Sequence, residues 1–261
     1  MMVLVTDIIK RIKQEIVINI EDIVPEGFLK DFITGGKFIR STLVVLYLKT
    51  HNCEITEDVY KILEAGELIH SASLLHDDVL DDADNRRSKT TIAKKYSSKI
   101  SILLGDYLIS KAIEKLLEIN DTTILFTFKN CTERMAVAEV KQFFLRGQLP
   151  TEEEYIRICE EKTAILFATI LTSAVSKTSL DEQLARNFAN LFGIYFQIKN
   201  DLSESSEEQD KGNKISTAKE IFGIEKTMRL LDNYKEEMSK IITVFPENIY
   251  KQELEDLINS I

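Results

Sequence analysis

The chain is poor in residues that interrupt helices: nine glycines and three prolines in 261 residues. That scarcity excludes a fold of many short strands joined by tight turns and favours long helices. Cysteine is scarce too. Cys53, Cys131 and Cys159 are scattered, odd in number and form no CxxC pair. This excludes a disulfide framework and reads as free thiols in a reducing compartment. No run of about 18 apolar residues occurs, so no membrane-spanning segment is expected. Positive charge is in deficit, with 33 Lys and Arg against 43 Asp and Glu and a net charge of −10. General nucleic-acid binding, which needs a basic footprint, is therefore not expected. An anionic substrate would have to be held by local cations or by metal. The opening stretch MMVLVTDIIKRIKQEIVINI does not read as a signal peptide, because Asp7, Lys10, Arg11 and Lys13 break it at helical spacing. The expected location is the cytoplasm.

Hydrophobic residues make up 44% of the chain, enough for a large core. Their spacing predicts helices over residues 3–19, 37–50, 56–82, 99–119, 122–146, 151–176, 180–205, 218–242 and 247–259. Thr56 followed by Glu57 and Asp58 reads as an N-cap. Thr151 with Glu154 reads as a capping box, and Asp181 lies at a further helix start. Within 62–80, Leu68, Ala72, Leu75 and Val79 form one apolar stripe, and Ile62, Ala65, Ile69, Ser73 and His76 another. A helix apolar on two faces is surrounded by others. The expected fold is all-α: one domain over 1–261, a bundle with buried central helices. The polar stretch SESSEEQDKGNK, 203–214, reads as a loop.

One segment does not fit a core helix. HDDVLDDADNRR, 76–87, follows directly from an apolar run. Residues four apart share a helix face, which pairs Asp77 with Asp81 and Asp78 with Asp82. Like charges at that spacing cost roughly 0.2–0.5 kcal/mol per pair on a solvated face and far more if they look inward. Mg²⁺ would relieve that cost, since it takes hard oxygen ligands from one or two carboxylates, substrate phosphates and water. Arg86 and Arg87 suit phosphate, which guanidinium groups grip in a fork.

IHSASLLHDDVLDDADNRRSKTT resembles the first aspartate-rich region of the trans-isoprenyl diphosphate synthases, DDxxD followed by RRGKP, with Ser88 and Thr90 in place of Gly and Pro. Other segments match in order over about residues 30–230. GGKFIR, 35–40, resembles GGKRxRP. LLGDYL, 103–108, resembles a helix start of the family. EVKQ, 139–142, resembles GExxQ without the glycine. YIRICEEKTAILF, 155–167, resembles YxxIxxxKTAxLF, and FGIYFQIKNDLSE, 192–204, resembles GxAFQIxDDxLD.

The resemblance implies an isoprenoid-synthase bundle of about ten or more helices around a central cavity. It implies Mg²⁺-dependent condensation of isopentenyl diphosphate with an allylic diphosphate. The catalytic set would be Asp77, Asp78, Asp81, Lys162, Gln197 and Asp201. Substrate would be bound by Lys37, Arg40, His70, Arg86, Arg87, Lys162, Thr163, Gln197 and Lys214. Metal would be held by Asp77 and Asp81 on one wall and by Asn200, Asp201 and Glu204 on the other. Asp82 and Asp84 would be solvated. A homodimer is the family's usual state.

The second acidic region departs from the pattern: it reads Asn200, Asp201, Leu202, Ser203, Glu204 where the family has DDxxD. An amide oxygen carries no formal charge, so weaker binding of one metal is expected. Ala72 and Ser73 lie about 6 Å, one helical turn, deeper than Asp77, where the growing tail would pass. Both are small, which fits the makers of medium and long quinone side chains; Leu68, Phe143 or Phe144 could close the floor. The alternatives are a short-chain (farnesyl or geranylgeranyl) synthase, a terpene cyclase with an NDxxSxxxE site, and a weakly active or non-catalytic subunit of a hetero-oligomeric prenyltransferase.

Overall fold

A computed structural model describes residues 4–18, 32, 35–86, 89–202 and 215–261. The α-helices among the described residues are α1 (Val5–Ile18), α2 (Ile39–Thr50), α3 (Glu57–Leu80), α4 (Ile92–Lys95), α5 (Ser98–Glu118), α6 (Thr122–Phe144), α7 (Glu152–Ile158), α8 (Ile165–Val175), α9 (Glu182–Asp201), α10 (Ala218–Phe222), α11 (Ile224–Ile242) and α12 (Ile249–Ser260). Between α7 and α8 runs a π-helical turn, Cys159–Ala164. An antiparallel ribbon, β1 (Asn85–Arg86) and β2 (Lys89–Thr90), pairs Asn85 with Thr90 and Arg86 with Lys89. The fold is all-α, as expected. None of the described helices is long and apolar enough to cross a membrane.

The helix starts follow local chemistry. Thr56 accepts a hydrogen bond from the Val59 amide, and Asp181 accepts from Gln183 and Leu184. Thr151 and Glu154 close a capping box. The helices differ from the sequence expectation at several places, among them three that bear on the site. The helix expected over 56–82 ends at Leu80, with Asp81 as C-cap and Asp82 at φ +47°. Asp82 is thus off the helix, and the pairing of Asp78 with Asp82 does not exist. The helix expected over 218–242 breaks at Gly223, whose φ of +74° suits glycine. The helix over 151–176 contains the π turn, which periodicity does not reveal because the flanking residues stay helical. The stretch 203–214 lies outside the described residues.

The chain divides into two compact units, 1–45 with 55–125 and 46–54 with 126–261. In the first unit α3 packs along α5, and α1 packs on α3. Ile8, Ile12, Ile62, Leu63, Leu75, Leu108 and Ala112 are fully buried there. Polar ties stitch α3 to α5. The Ser101 hydroxyl donates to the Leu75 carbonyl at 2.8 Å, and Lys115 pairs with buried Glu64 at 3.2 Å. Gly105 leaves room at this seam for the His76 ring, since a Cβ would stand 2.2 Å from His76 Nε2.

In the second unit α9 packs against α8, the π turn and α11. Its core is aromatic. Phe167 stands edge-on to Phe192 at 5.2 Å, and Tyr47 stands edge-on to Phe245 at 5.2 Å.

Candidate active site

In the first unit the C-terminal turn of α3 carries the acidic block. The Asp81 amide donates to the Asp77 carbonyl at 2.9 Å, so the helical four-residue relation persists through Asp81. Asp77 and Asp81 therefore share a face. That face continues up the helix as a half-buried stripe of Leu74, Ser73 and His70. Leu74 was not singled out from sequence; only the burial pattern reveals it. Ala72 lies on the other side, 1% exposed. Of the two small residues, Ser73 shares the face of Asp77 and Ala72 does not. Successive helical residues turn by about 100°, which puts Ala72 about 140° from Asp77. Of the candidate floor residues, Leu68 is buried, while Phe143 and Phe144 are 46% and 72% exposed.

Asp78 points inward and is fully buried. Its Oδ1 accepts from Arg86 Nε at 2.6 Å, and its Oδ2 has no hydrogen-bond donor among the described residues. Burial pushes the Asp78 carboxyl above its usual range, and the Arg86 guanidinium opposes that rise. The loop that delivers Arg86 is closed by Thr91, whose amide donates to Asp84 and whose hydroxyl donates to Ala83 at 2.6 Å. Asp78 thus holds an arginine. That bond uses Nε, and the two terminal amino groups of Arg86 are not part of it. Asp84 is exposed and pairs with Lys94 at 3.0 Å; Asp82 is exposed. Arg87 lies outside the described residues.

The start of α2 carries Lys37, exposed, and Arg40, half-buried. Between them Phe38 takes φ +52° with its ring 4% exposed. A bulky residue in the left-handed region is an outlier that costs of order 1–3 kcal/mol. Lys13 Nζ sits 4.7 Å over that ring and donates to the Gly36 carbonyl at 3.3 Å. The buried carboxylate of Glu67 on α3 accepts from the Ser41 amide at 3.1 Å and the Ser41 hydroxyl at 2.7 Å. Glu67 thereby caps the first turn of α2 and holds the segment bearing Arg40. No local signal marked it; the motif and its cap are 26 residues apart.

Burial raises the Glu67 carboxyl above 4.5, against the pull of Ser41, Arg40 and Lys13. Its folded pKa exceeds the unfolded one, so the folded state binds the extra proton between those values. Stability contributed here is present below the unfolded pKa and is lost as pH rises through the folded pKa. Glu67→Gln removes this component and keeps an acceptor for Ser41. Thermal melts at about pH 5 and about pH 8 check it: the Tm difference between the two narrows in the variant. An unchanged difference counts against this role for Glu67.

In the second unit Lys162 and Thr163 lie in the π turn, a feature common at functional sites. Lys162 Nζ contacts Glu139 at 2.5 Å and Gln142 Oε1 at 2.8 Å. Glu139 and Gln142 are the ends of EVKQ, a motif legible in the sequence without an assignable role. Thr163 donates to Gln197 Oε1 at 2.7 Å, and Gln197 Nε2 donates to Asp201 Oδ1 at 2.7 Å. Tyr155 donates to Asp201 Oδ2 at 2.6 Å, with its ring edge-on to Phe222. Gly193 lets α9 approach the π turn, since a Cβ there would stand 2.4 Å from Ala164 Cα.

Asp201, placed among the metal ligands from sequence, is 5% exposed, and both its oxygens accept internal hydrogen bonds. Burial raises its carboxyl, and the bonds from Tyr155, Gln197 and the Ala218 amide lower it. Asn200 is exposed one residue earlier. Glu204 and Lys214 lie outside the described residues.

Among the described residues no three His, Cys, Asp or Glu side chains converge as a self-sufficient metal cage. Mg²⁺ does not require one, since it usually keeps waters and substrate phosphates alongside one or two carboxylates. Asp77 and Asp81, two half-buried carboxylates on one helix face, are ligand types of that kind.

The sequence matches the model of the polyprenyl synthetase family over residues 26–255. The chain belongs to the polyprenyl synthetase family. Every candidate residue named above, from Lys37 to Lys214, falls within that match. Polyprenyl synthetase relatives include the short chain isoprenyl diphosphate synthase of Methanocaldococcus jannaschii, 29% identical over 238 residues, 86% of this chain and 72% of that protein. The heptaprenyl diphosphate synthase component 2 of Bacillus subtilis is 28% identical over 216 residues, 80% of this chain and 61% of that one. The matched chain therefore spans about two-thirds of the length of these relatives. In fold it is similar to the heptaprenyl diphosphate synthase of Staphylococcus aureus, with a TM-score of 0.85 at 21% identity over 99% of this chain and 98% of the other.

Proposed function

We propose that the chain is a trans-polyprenyl diphosphate synthase, condensing isopentenyl diphosphate with an allylic diphosphate into a medium- or long-chain product. The observation that carries this reading is the shared face of Asp77 and Asp81 running into the half-buried stripe of Ser73 and His70, beside a buried carboxylate that holds Arg86. In this reading residues 1–261 form a single catalytic domain.

Asp77, Asp81 and Asn200 would hold Mg²⁺, with Glu204 added from the sequence pattern. Bound there, the ion supplies positive charge to the leaving diphosphate. Arg86, Lys162 and Lys214 add cationic donors for the same group. Lys37, Arg40, His70 and Arg87 bind and orient isopentenyl diphosphate. The allylic C–O bond breaks and its electron pair leaves with diphosphate. The isopentenyl double bond forms the new C–C bond, and a proton is lost. No side chain stands out as the base, and the released diphosphate is the natural acceptor.

Ser73 is the small residue on the path of the tail. Ser73→Phe should shorten the product by one or more isoprene units, whereas Ala72→Phe should overpack the core and lower Tm. Chromatography of products checks the first and thermal melting the second; an unchanged chain length in Ser73→Phe counts against the path.

The assay that tests the activity uses purified protein, an allylic diphosphate, labelled isopentenyl diphosphate and Mg²⁺. Elongated diphosphates support the synthase. A hydrocarbon from the allylic substrate alone indicates a cyclase, and no turnover indicates a subunit requiring a partner. For self-association, α5 leaves Leu103, Ile113 and Leu117 exposed by 63%, 45% and 59%. Apolar side chains left uncovered on one helix suit a second copy. Light scattering should give a dimer mass, and a monomer would overturn this part.

A further inference from the structure

We propose that Asp201 and Tyr155 are positioning residues that set the sense of the Gln197 side-chain amide, and that Asp201 is not a metal ligand; this rests on the synthase reading above. A glutamine amide can present either its oxygen or its NH2 to a neighbour. Here the choice is made by what lies on each side. Gln197 and Asp201 are four residues apart on α9, so they share a face, with Nε2 to Oδ1 at 2.7 Å. Both Asp201 oxygens accept, Oδ2 from Tyr155 and Oδ1 from Gln197, so Asp201 takes the NH2 end of the amide. The Gln197 oxygen is thereby turned to the Thr163 hydroxyl at 2.7 Å.

The carboxylate is held in its turn. The Tyr155 hydroxyl donates to Oδ2 at 2.6 Å, and the Ala218 amide also donates to the group. Donors from α7, α9 and the start of α10 thus converge on one 5% exposed side chain. A cation reaching Asp201 would have to displace Tyr155 or Gln197 and enter a buried position. The departure at Asn200 then has a different meaning. The exposed member of the pair is an amide, and the remaining carboxylate is committed to the protein's own hydrogen bonds.

The consequence concerns Thr163 and Gln197, which this chain aligns through residues from three separate segments. With the tie intact, two oxygen atoms lie side by side, the hydroxyl of Thr163 and the carbonyl of Gln197. With the tie broken, the amide can turn, and its NH2 would take the place of the carbonyl oxygen. Geometry lost by about 1 Å at a reacting centre can reduce turnover about a hundredfold. Loss of one hydrogen bond in the chain has a smaller effect.

The test uses Tyr155→Phe and Asp201→Asn in the full chain. Tyr155→Phe keeps the ring against Phe222 and removes only the donor. It should lower kcat about tenfold, with KM for isopentenyl diphosphate and the Mg²⁺ concentration at half-maximal rate both unchanged. Asp201→Asn should also lower kcat about tenfold, with that Mg²⁺ concentration shifting by less than about twofold. A Mg²⁺ requirement raised about tenfold or more in Asp201→Asn would show a ligand and overturn the proposal. Wild-type kcat in Tyr155→Phe would overturn it as well.

A second readout does not depend on turnover. In isotopically labelled protein the Gln197 side-chain amide should give a dispersed, slowly exchanging signal that moves in Tyr155→Phe. A random-coil signal in the wild type removes the tie. If wild-type protein fails to elongate, the synthase reading falls, and this signal still decides whether Asp201 and Tyr155 orient the amide.

Discussion

Asp77→Ala should lower kcat/KM for elongation at least about a thousandfold while leaving Tm within a few degrees of the wild type. The size follows from the role. A carboxylate that helps hold Mg²⁺ stabilises charge present only as the C–O bond breaks, so its loss appears in kcat as well as in metal affinity. The small effect on folding follows from position. Asp77 is half-buried near the end of α3, outside the core stripe of Leu68, Ala72 and Leu75. Two neighbours serve as controls. Asp84→Ala removes an exposed pair with Lys94 and should change neither quantity appreciably. Asp78→Ala removes the buried partner of Arg86, so it should lower Tm together with activity. Steady-state kinetics over a Mg²⁺ series and thermal melts separate these cases. Ordinary turnover in Asp77→Ala would sink the metal assignment.

Gly193→Ala should lower kcat about a hundredfold and destabilise the fold by about 1–3 kcal/mol. The added Cβ would stand 2.4 Å from Ala164 Cα and 2.6 Å from Ala164 Cβ. Both atoms belong to a packed helical turn and cannot swing aside. Helix α9 must move away from the π turn, and Gln197, one turn further along α9, moves with it. The hydrogen bond from Thr163 to Gln197 lies on that seam and should lengthen. At Gly105 the obstruction is the His76 ring, a side chain with rotamers to use, so Gly105→Ala should be the milder change. Wild-type values of both kcat and Tm in Gly193→Ala would show that the approach of α9 to the π turn has no role in positioning Thr163 and Gln197.

How much of this was legible beforehand varies with the range of the interaction. Helix starts at Thr56, Thr151 and Asp181 could be read because a cap is a contact between residues two or three apart. The shared face of Asp77 and Asp81 could be read because helical geometry is local. The partners of the functional side chains could not. Glu67 reaches Ser41 across 26 positions, and Tyr155 reaches Asp201 across 46. The π turn was invisible for another reason. It changes the rotation of Lys162 and Thr163 relative to α7 while leaving composition and hydrophobic pattern helical.

The sequence by itself determined the helical class, the order of the motifs and the residue types able to bind diphosphate and metal. These follow from periodicity and spacing along one chain. Only the tertiary structure decided which of those residues is committed elsewhere. It turned Asp78 to Arg86 and Asp201 to Tyr155 and Gln197, and it left Asp77, Asp81 and Ser73 on a half-buried face. The physical reason is that a carboxylate's role depends on which donors are packed within about 3 Å of it. Here those donors include side chains from other segments of the chain, Arg86 and Tyr155.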